Sequence, residues 1–352
     1  MHDIPAPPPL RTADGPIGNT PVTSGSVLVG PDVPLPAGVA GAPTTAMTAG
    51  IAGWVDADPL RQLVARFGGT WPAGDLADAL RFLDEFSARH WDFRGGRERP
   101  DAREPNLDAG TAELVRAAAG ALGLVRPAPP ITSAYAHQVV LGGLAHACLR
   151  RVAYAAHLLR GGLRVTGEVA VLGSFRPLSD LEHRMLAEAG APRCETEVDA
   201  LDAAVRLAFG VTAPAREDGV DTGHAHHSWS SRTYLPDSLP PVRVLAAPSS
   251  EPQRRRAHTA DTQRFWAGHV QLAPGDDVLM VTAPIYVPFQ HCDALRTLAV
   301  PYGCGIDTVG VDPALVDLAR LPEPTLSPGR YLQEIRSAIR AMRALHTALA
   351  AG

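Results

Sequence analysis

The chain is poor in cysteine, with four in 352 residues. Cys148, Cys194, Cys292 and Cys304 show no CxxC or zinc-like spacing. That excludes a ribbon-type metal site and reads as the reduced thiols of a cytoplasmic protein. Lysine is missing, so all 32 basic residues are arginine. Acidic residues number 37 and the net charge is -5, which argues against a nucleic-acid-binding surface. No apolar run approaches the roughly 18–20 residues that span a bilayer, so no membrane segment is expected. The opening residues, Met-His-Asp-Ile-Pro, lack the basic start and apolar core of a signal peptide. Also absent are a GxGxxG turn, a Walker A loop and a GxSxG elbow, the local signatures of dinucleotide, triphosphate and nucleophilic-serine sites.

What is present points to an α/β protein. Hydrophobic residues make up 45% of the chain, ordinary for a soluble domain, and there are 33 Gly and 33 Pro. The organising stretch is residues 242–290. Two short apolar runs, Val-Arg-Val-Leu-Ala and Val-Leu-Met-Val-Thr, flank a turn with Arg254, Arg255 and Arg256, then a helix. This is the form of a βαβ unit, and ligands of open parallel sheets bind at turns in that position.

Residues 1–50, rich in Pro, Gly, Ala and Thr, read as an extended or poorly ordered arm. An arm of that kind can wrap a partner subunit, which would make the chain a homo-oligomer. Residues 51–126 carry helical periodicity, with Leu60, Leu63, Val64 and Phe67 on one face and Leu76, Leu80, Leu83 and Phe86 on another. After them come Trp91, Asp92, Arg94, Arg97, Glu98 and Arg99 around a Gly-Gly turn. Either Trp91 is buried beside local ion pairs, or an arginine there reaches an anion.

Residues 131–320 read as a Rossmann-like domain of parallel strands and flanking helices. Val139-Val-Leu runs into Gly142-Gly143 and a helix carrying Arg151. A second strand runs into Gly173-Ser174 and Arg176. Strand–glycine–helix turns of this kind can seat an anion on a helix N-terminus. Ser179 with Glu182 has the spacing of a capping box. Glu195, Glu197, Asp199 and Asp202 crowd the next helix start. Acids favour that position through the helix dipole, or one of them, Glu197 first, is an acid/base group. Residues 212–241 read as a long loop or lid, in which His224, His226 and His227 have no matched second half for a metal site, so none is assigned. Thr259 or Asp261 is expected to cap the helix after the triple arginine. Tyr286 and Gln290 follow the strand that ends in Thr282. Residues 329–352 form a C-terminal packing helix with Ile335, Ile339, Met342 and Leu345 in one stripe.

The order of these pieces resembles the YdcF-like and SanA-like proteins, a bacterial family with a Rossmann-like fold. The matching pieces are Val139-Val-Leu-Gly-Gly, Arg151, Val171-Leu-Gly-Ser, the Glu197 region, Thr259 with Asp261, and Val281-Thr-Ala followed by Tyr286. The resemblance covers residues 135–310. It implies a site along the strand C-termini and nucleotide-like ligands, S-adenosylmethionine among them. Relatives carry Asn-Thr where this chain has His258-Thr259, and a His and Arg-Ala where it has Tyr286 and Gln290. Chemistry particular to this chain is therefore expected at those positions.

Two functional readings follow. In one, an enzyme acts on a small anionic or nucleotide-like metabolite by hydrolysis or group transfer. Arg151, Arg176 and Arg255 hold the anion, with Gly142, Gly143, Gly173, Ser174, Thr259, Thr282 and Gln290 around it. Glu197, His258, Asp261 and Tyr286 are its candidate catalytic groups. In the other, the chain is a non-catalytic ligand-binding or interaction protein. A cleft with convergent Arg, acid and His favours the first; a site whose charged groups pair with one another favours the second.

Overall fold

The computed structural model describes residues 33–93, 104–314 and 326–351. Its centre is a sheet whose strands are near-continuous apolar runs, as strands covered on both faces must be. β2 (His137–Leu141), β4 (Val169–Gly173), β7 (Val242–Ala246), β8 (Asp277–Thr282) and β9 (Gly305–Gly310) are all parallel. Their spatial order is β7-β4-β2-β8-β9. The order therefore reverses between β2 and β8, the topological switch point of a Rossmann-like sheet. A two-stranded parallel piece, β1 (Ala134–Tyr135) with β3 (Arg164–Val165), sits apart.

Strand side chains alternate between two cores. Val139, Leu141, Ala170, Leu172, Val278 and Met280 face one layer. Val140, Val169, Val171, Leu279 and Val281 face the other, built on α5 (Ala145–Arg160), α6 (Asp180–Glu188) and α7 (Glu197–Phe209). The first layer holds α8 (Thr259–Val270), α9 (Val287–Ala294) and the N-terminal helices. Those are α1 (Thr44–Val55), α2 (Asp58–Arg66), α3 (Leu76–His90) and α4 (Ala109–Ala121). A 3-10 turn (Pro284–Tyr286) precedes α9, and a π-helical turn (Leu295–Ala299) links it to the short α10 (Val300–Tyr302).

The last helix is α11 (Pro328–Ala351). Leu332, Ile335, Ile339, Met342 and Leu345 are fully buried at a helical repeat. Each such side chain contributes about 2 kcal/mol by leaving water. α11 packs on α9 on one side and on α3, α4 and α1 on the other, so it joins the N-terminal helices to the sheet layer.

Two expectations are corrected, and a third position with two readings is resolved. Residues 212–241 are not a long loop: β5 (Arg216–Val220) and β6 (Trp229–Tyr234) form an antiparallel hairpin that extends the sheet beyond β7. All five β5 residues are exposed, so no burial alternation marks it as a strand. Residues 33–50 are not a loose arm. The Ile306 N–H donates to the Gly38 carbonyl at 2.6 Å, and buried His291 bridges the Pro36 carbonyl (2.9 Å) and the Thr308 hydroxyl (3.0 Å). The segment thereby covers the outer edge of β9, an edge that would otherwise expose unpaired backbone groups. Trp91 is fully buried against Phe67 and Phe86, and Asp92 pairs with Arg336 of α11 at 3.4 Å. Arg94, Arg97, Glu98 and Arg99 lie outside the described residues, as do residues 1–32. Among the described residues no helix is long and apolar enough to cross a membrane.

Candidate functional site

The loop leaving β4 begins Gly173-Ser174-Phe175-Arg176-Pro177 and is zipped to the start of α7. The Glu197 N–H donates to the Arg176 carbonyl (2.8 Å) and the Val198 N–H to that of Ser174 (3.2 Å). Thr196 caps α7 in a capping box with Asp199, which accounts for one of the crowded acids. The adjacent Glu197 turns inward and is buried. Its Oε2 accepts from the Ser174 hydroxyl (2.7 Å) and N–H (3.2 Å). Burial pushes the Glu197 pKa up, opposed by Arg176, Ser174 and Arg256.

Gly142 and Gly173 are glycine because Glu197 and α7 come so close. A Cβ on Gly142 would lie 2.6 Å from Glu197 Oε1 and 2.7 Å from the Leu172 carbonyl oxygen. On Gly173 it would lie 2.5 Å from Leu201. These glycines allow close packing of helix on strand.

Glu182 does more than cap. It completes the predicted box with Ser179, and its Oε1 also accepts from the Ala145 N–H at 3.0 Å, the first residue of α5. Both its oxygens receive Arg176, at 2.7 and 2.9 Å. Arg176 donates in addition to the Gly143 carbonyl at 2.9 Å. Burial alone would raise the Glu182 pKa, but Arg176 and Ser179 hold it down at about 2. Arg176 is thus a fixed positive charge tied into three elements.

The loop leaving β7 closes on itself. Arg255 donates to Asp261 at 2.5 Å and to Glu251 and Ser250 at 3.2 and 2.9 Å. His258, not Thr259, caps α8: its Nδ1 accepts from the Asp261 N–H, and Asp261 accepts from the His258 N–H. Burial would raise the Asp261 pKa, yet the bonds from Arg255, Ser250 and His258 lower it to about 2. His258, Asp261 and Arg255 therefore form a helix-capping network. The Thr259 carbonyl accepts from the Thr262 hydroxyl at 2.9 Å.

At the switch point the expected residues also engage one another. Arg151 is buried and donates to the Leu141 and Gly142 carbonyls at 2.7 and 2.5 Å, capping β2, with its guanidinium 5.7 Å from the Tyr286 ring. The Tyr286 hydroxyl accepts from Arg330 of α11 at 3.0 Å. Thr282 and Gln290 hydrogen-bond to each other in the core.

The open space lies one strand over. A cleft of about 150 Å³ sits at the C-terminal ends of β4 and β7, lined by Ser174, Phe175, Arg176, Pro177, Ala225, His226, Ala247, Arg256 and Ala257. His226 comes from the tip of the β5–β6 hairpin. Its carbonyl accepts from the Ser249 N–H (2.8 Å), and its Nδ1 faces the Pro252 carbonyl (3.1 Å). Both partners belong to the β7 loop, so the hairpin tip is docked as one wall. Sequence reasoning missed His226 as a cleft residue and chose Arg255 over its neighbour Arg256. The three histidine rings do cluster, with His224 centred 5.1 Å from each of the others. Even so, among the described residues no three His, Cys, Asp or Glu gather to hold a metal.

Fold and site together define a Rossmann-like α/β protein with a helical N-terminal region and a small basic cleft at its strand ends. The chain belongs to the Rv3785 family. The family model for the Rv3785 N-terminal domain matches residues 38–123, the helices α1 to α4 and their approach. The chain is 34% identical over 325 residues to the Mycobacterium tuberculosis protein Rv3785 and to Mb3814 of Mycobacterium bovis, covering 85% of this chain and 89% of each relative. Both relatives are described as uncharacterized proteins. No solved structure matches the chain.

Proposed function

We propose that this chain binds a small anionic metabolite at the C-terminal ends of β4 and β7. The observation that carries the reading is the convergence of Arg176, Arg256, His226 and Ser174 on one cleft. They arrive from three separate loops, and apolar Phe175, Pro177 and three alanines complete the wall. Basic groups in a partly apolar recess attract an anion more strongly than they would in open water. The nucleotide-like or S-adenosylmethionine-like ligand expected from the resemblance would place only an anionic or small polar part here. Ligand cavities for drug-sized molecules run to roughly 300–1,000 Å³.

A second reading, catalysis, has its own observation. Glu197 is a buried carboxyl with a raised pKa, joined by a 2.7 Å hydrogen bond to a serine of the cleft wall. A carboxyl tuned upward by burial is suited to proton transfer near neutral pH. Hydrolysis or group transfer would use Glu197 through Ser174, with Arg176 and Arg256 stabilising charge. Tyr286, tied to Arg330, would stand outside it.

The test is a thermal-shift screen of the full chain against phosphates, nucleotides, sugar phosphates, carboxylates and S-adenosylmethionine. A ligand at 100 times its Kd stabilises by about 2.7 kcal/mol. A shift that vanishes in Arg256→Gln supports the reading. The absence of any shift with all of these would defeat it.

A further inference from the structure

We propose that Ser174 is a nucleophile that takes a short acyl group from an ester or thioester, with Glu197 as its base and the backbone N–H groups of Phe175 and Arg176 as oxyanion donors. This rests on the catalytic reading of the same cleft and names its nucleophile and substrate class.

The argument begins with who can touch a substrate. Ser174 lies at the C-terminal end of β4 and lines the cleft. Glu197 is buried behind it, outside the cleft lining, with Oε2 2.7 Å from the serine oxygen. The carboxyl therefore meets a bound molecule only through Ser174. That arrangement activates a serine in place of a water, since a hydroxyl becomes a useful nucleophile when an adjacent base takes its proton. Among the described residues the Ser174 hydroxyl donates to Glu197 and accepts nothing, so its lone pairs are open for attack.

The loop after Ser174 supplies the second requirement. Its carbonyls at Gly173, Ser174 and Arg176 accept from the N–H groups of Ala247, Val198 and Glu197, which fix its path. The Phe175 and Arg176 N–H groups donate to no partner among the described residues. Two successive uncommitted donors directly after the nucleophile are the provision an acyl-transfer oxyanion needs.

The lining sets the substrate class. Phe175, Pro177, Ala225, Ala247 and Ala257 make an apolar recess of about 150 Å³. That suits an acyl chain of a few carbons and falls below the roughly 300 Å³ that encloses whole drug-sized ligands. A transferring phosphoryl group instead spreads charge over three oxygens and calls for several clamping cations. Here Arg176 is engaged by Glu182 and the Gly143 carbonyl, and Arg256 has an interaction of its own. Both lend charge from fixed positions, which favours a single developing oxyanion.

His226 completes the cycle from the opposite wall. Its Nδ1 faces the Pro252 carbonyl, and no hydrogen bond engages its Nε2 among the described residues. In acylation the Ser174 oxygen bonds to the carbonyl carbon and its proton passes to Glu197. The bond to the leaving oxygen or sulfur breaks, and imidazolium His226 protonates that atom. In deacylation water adds to the acyl-serine carbonyl and gives a proton to His226. The acid is released as Ser174 recovers its proton from Glu197. One ester and one water become one acid and one alcohol or thiol, with both catalytic groups restored.

The test uses the full chain with p-nitrophenyl esters, followed by release of nitrophenol and by peptide mass mapping. The acetyl ester should leave one acetyl group on Ser174, and rates should fall at least tenfold from the butanoyl to the octanoyl ester. Ser174→Ala should abolish turnover. Glu197→Gln should lower kcat at least hundredfold with KM within twofold, because glutamine keeps a hydrogen bond and cannot take the proton. His226→Gln should slow turnover while acetyl-Ser174 accumulates. Arg254→Gln, on the exposed side of the β7 loop, should change nothing. The label is mapped in the parent chain, so the outcome stands even if a variant fails to fold. Absence of acetyl-Ser174 would overturn the proposal, as would turnover that survives in Ser174→Ala. If p-nitrophenyl phosphate marks Ser174 and the acetyl ester does not, the substrate class falls and the catalytic reading stands. If neither ester reacts while an anion still stabilises the protein, catalysis falls and the anion-binding reading stands.

Discussion

The loops leaving β4 and β7 carry similar inventories, and they spend them differently. Each has arginines, each runs into a helix whose first turn holds an acid, and each ends in a capping box. In the β7 loop the capping acid Asp261 takes Arg255, and the circuit closes within six residues. In the β4 loop the capping acid Glu182 takes Arg176 and also reaches across to α5, so the circuit spans three elements. The first arrangement consumes its charge locally. The second holds a charge in a fixed place beside an open cleft. Each arginine of a dense basic run must therefore be placed separately: Arg255 is tied to the cap of its own helix, while its neighbour Arg256 lines the cleft.

The sharpest break in this comparison is Glu182→Ala. It would leave Arg176 and the α5 N-terminus without their buried partner. Removing one side of a buried ion pair costs about 4 kcal/mol. Urea unfolding should show that loss, and binding of the anion found in the thermal-shift screen should fall with it as Arg176 is released. The matching change in the β7 loop, Asp261→Ala, should cost about 3 kcal/mol, because Arg255 retains Glu251 and Ser250. Its affinity for the same anion should stay within twofold. Equal loss of affinity in both variants would erase the distinction.

Acid titration separates the same groups from Glu197 by sign. Glu182 and Asp261 have folded pKa values lowered to about 2. Their stabilisation is complete above the unfolded carboxylate range and is lost as pH falls from about 4 to 2. Glu197 is raised, so its contribution is complete below its unfolded pKa and is lost as pH rises through the folded value. Glu197→Gln should therefore gain stability relative to the parent as pH rises, measured by denaturant midpoints from pH 4 to 8. A gap independent of pH would remove Glu197 as a titrating group of the site.

Part of this was legible in the sequence. The parallel strands announced themselves as short apolar runs, since burial on both faces demands them. The α11 stripe and the Ser179–Glu182 box were equally local. The β5–β6 hairpin was not, because Arg-Glu-Asp-Gly-Val has neither apolar alternation nor burial. His226 meets Ser249 and Pro252 only through that hairpin, so its place in the cleft is a tertiary fact. The glycine turns were visible, but their cause, the approach of Glu197 to Gly142, was not. Gly142→Ala should cost about 2 kcal/mol by overpacking against Glu197 Oε1 and the Leu172 carbonyl, read in the same urea series.

The smallest expected effect bears on the residue that most invited a catalytic role. His258 stands just after three arginines and lies beside Asp261. In the fold its Nδ1 accepts the Asp261 N–H at 3.3 Å while more than half of its side chain is exposed. That is the work of an N-cap, which Asn, Asp, Ser and here histidine perform with a side-chain acceptor. His258→Ala should cost about 1 kcal/mol, and His258→Asn should restore most of it, because Asn supplies the same acceptor. Anion binding should be unchanged in both variants. A capping residue is rescued by any good cap, whereas an acid/base residue is not. Loss of binding or of any turnover in the well-capped Asn variant would return His258 to the candidate site.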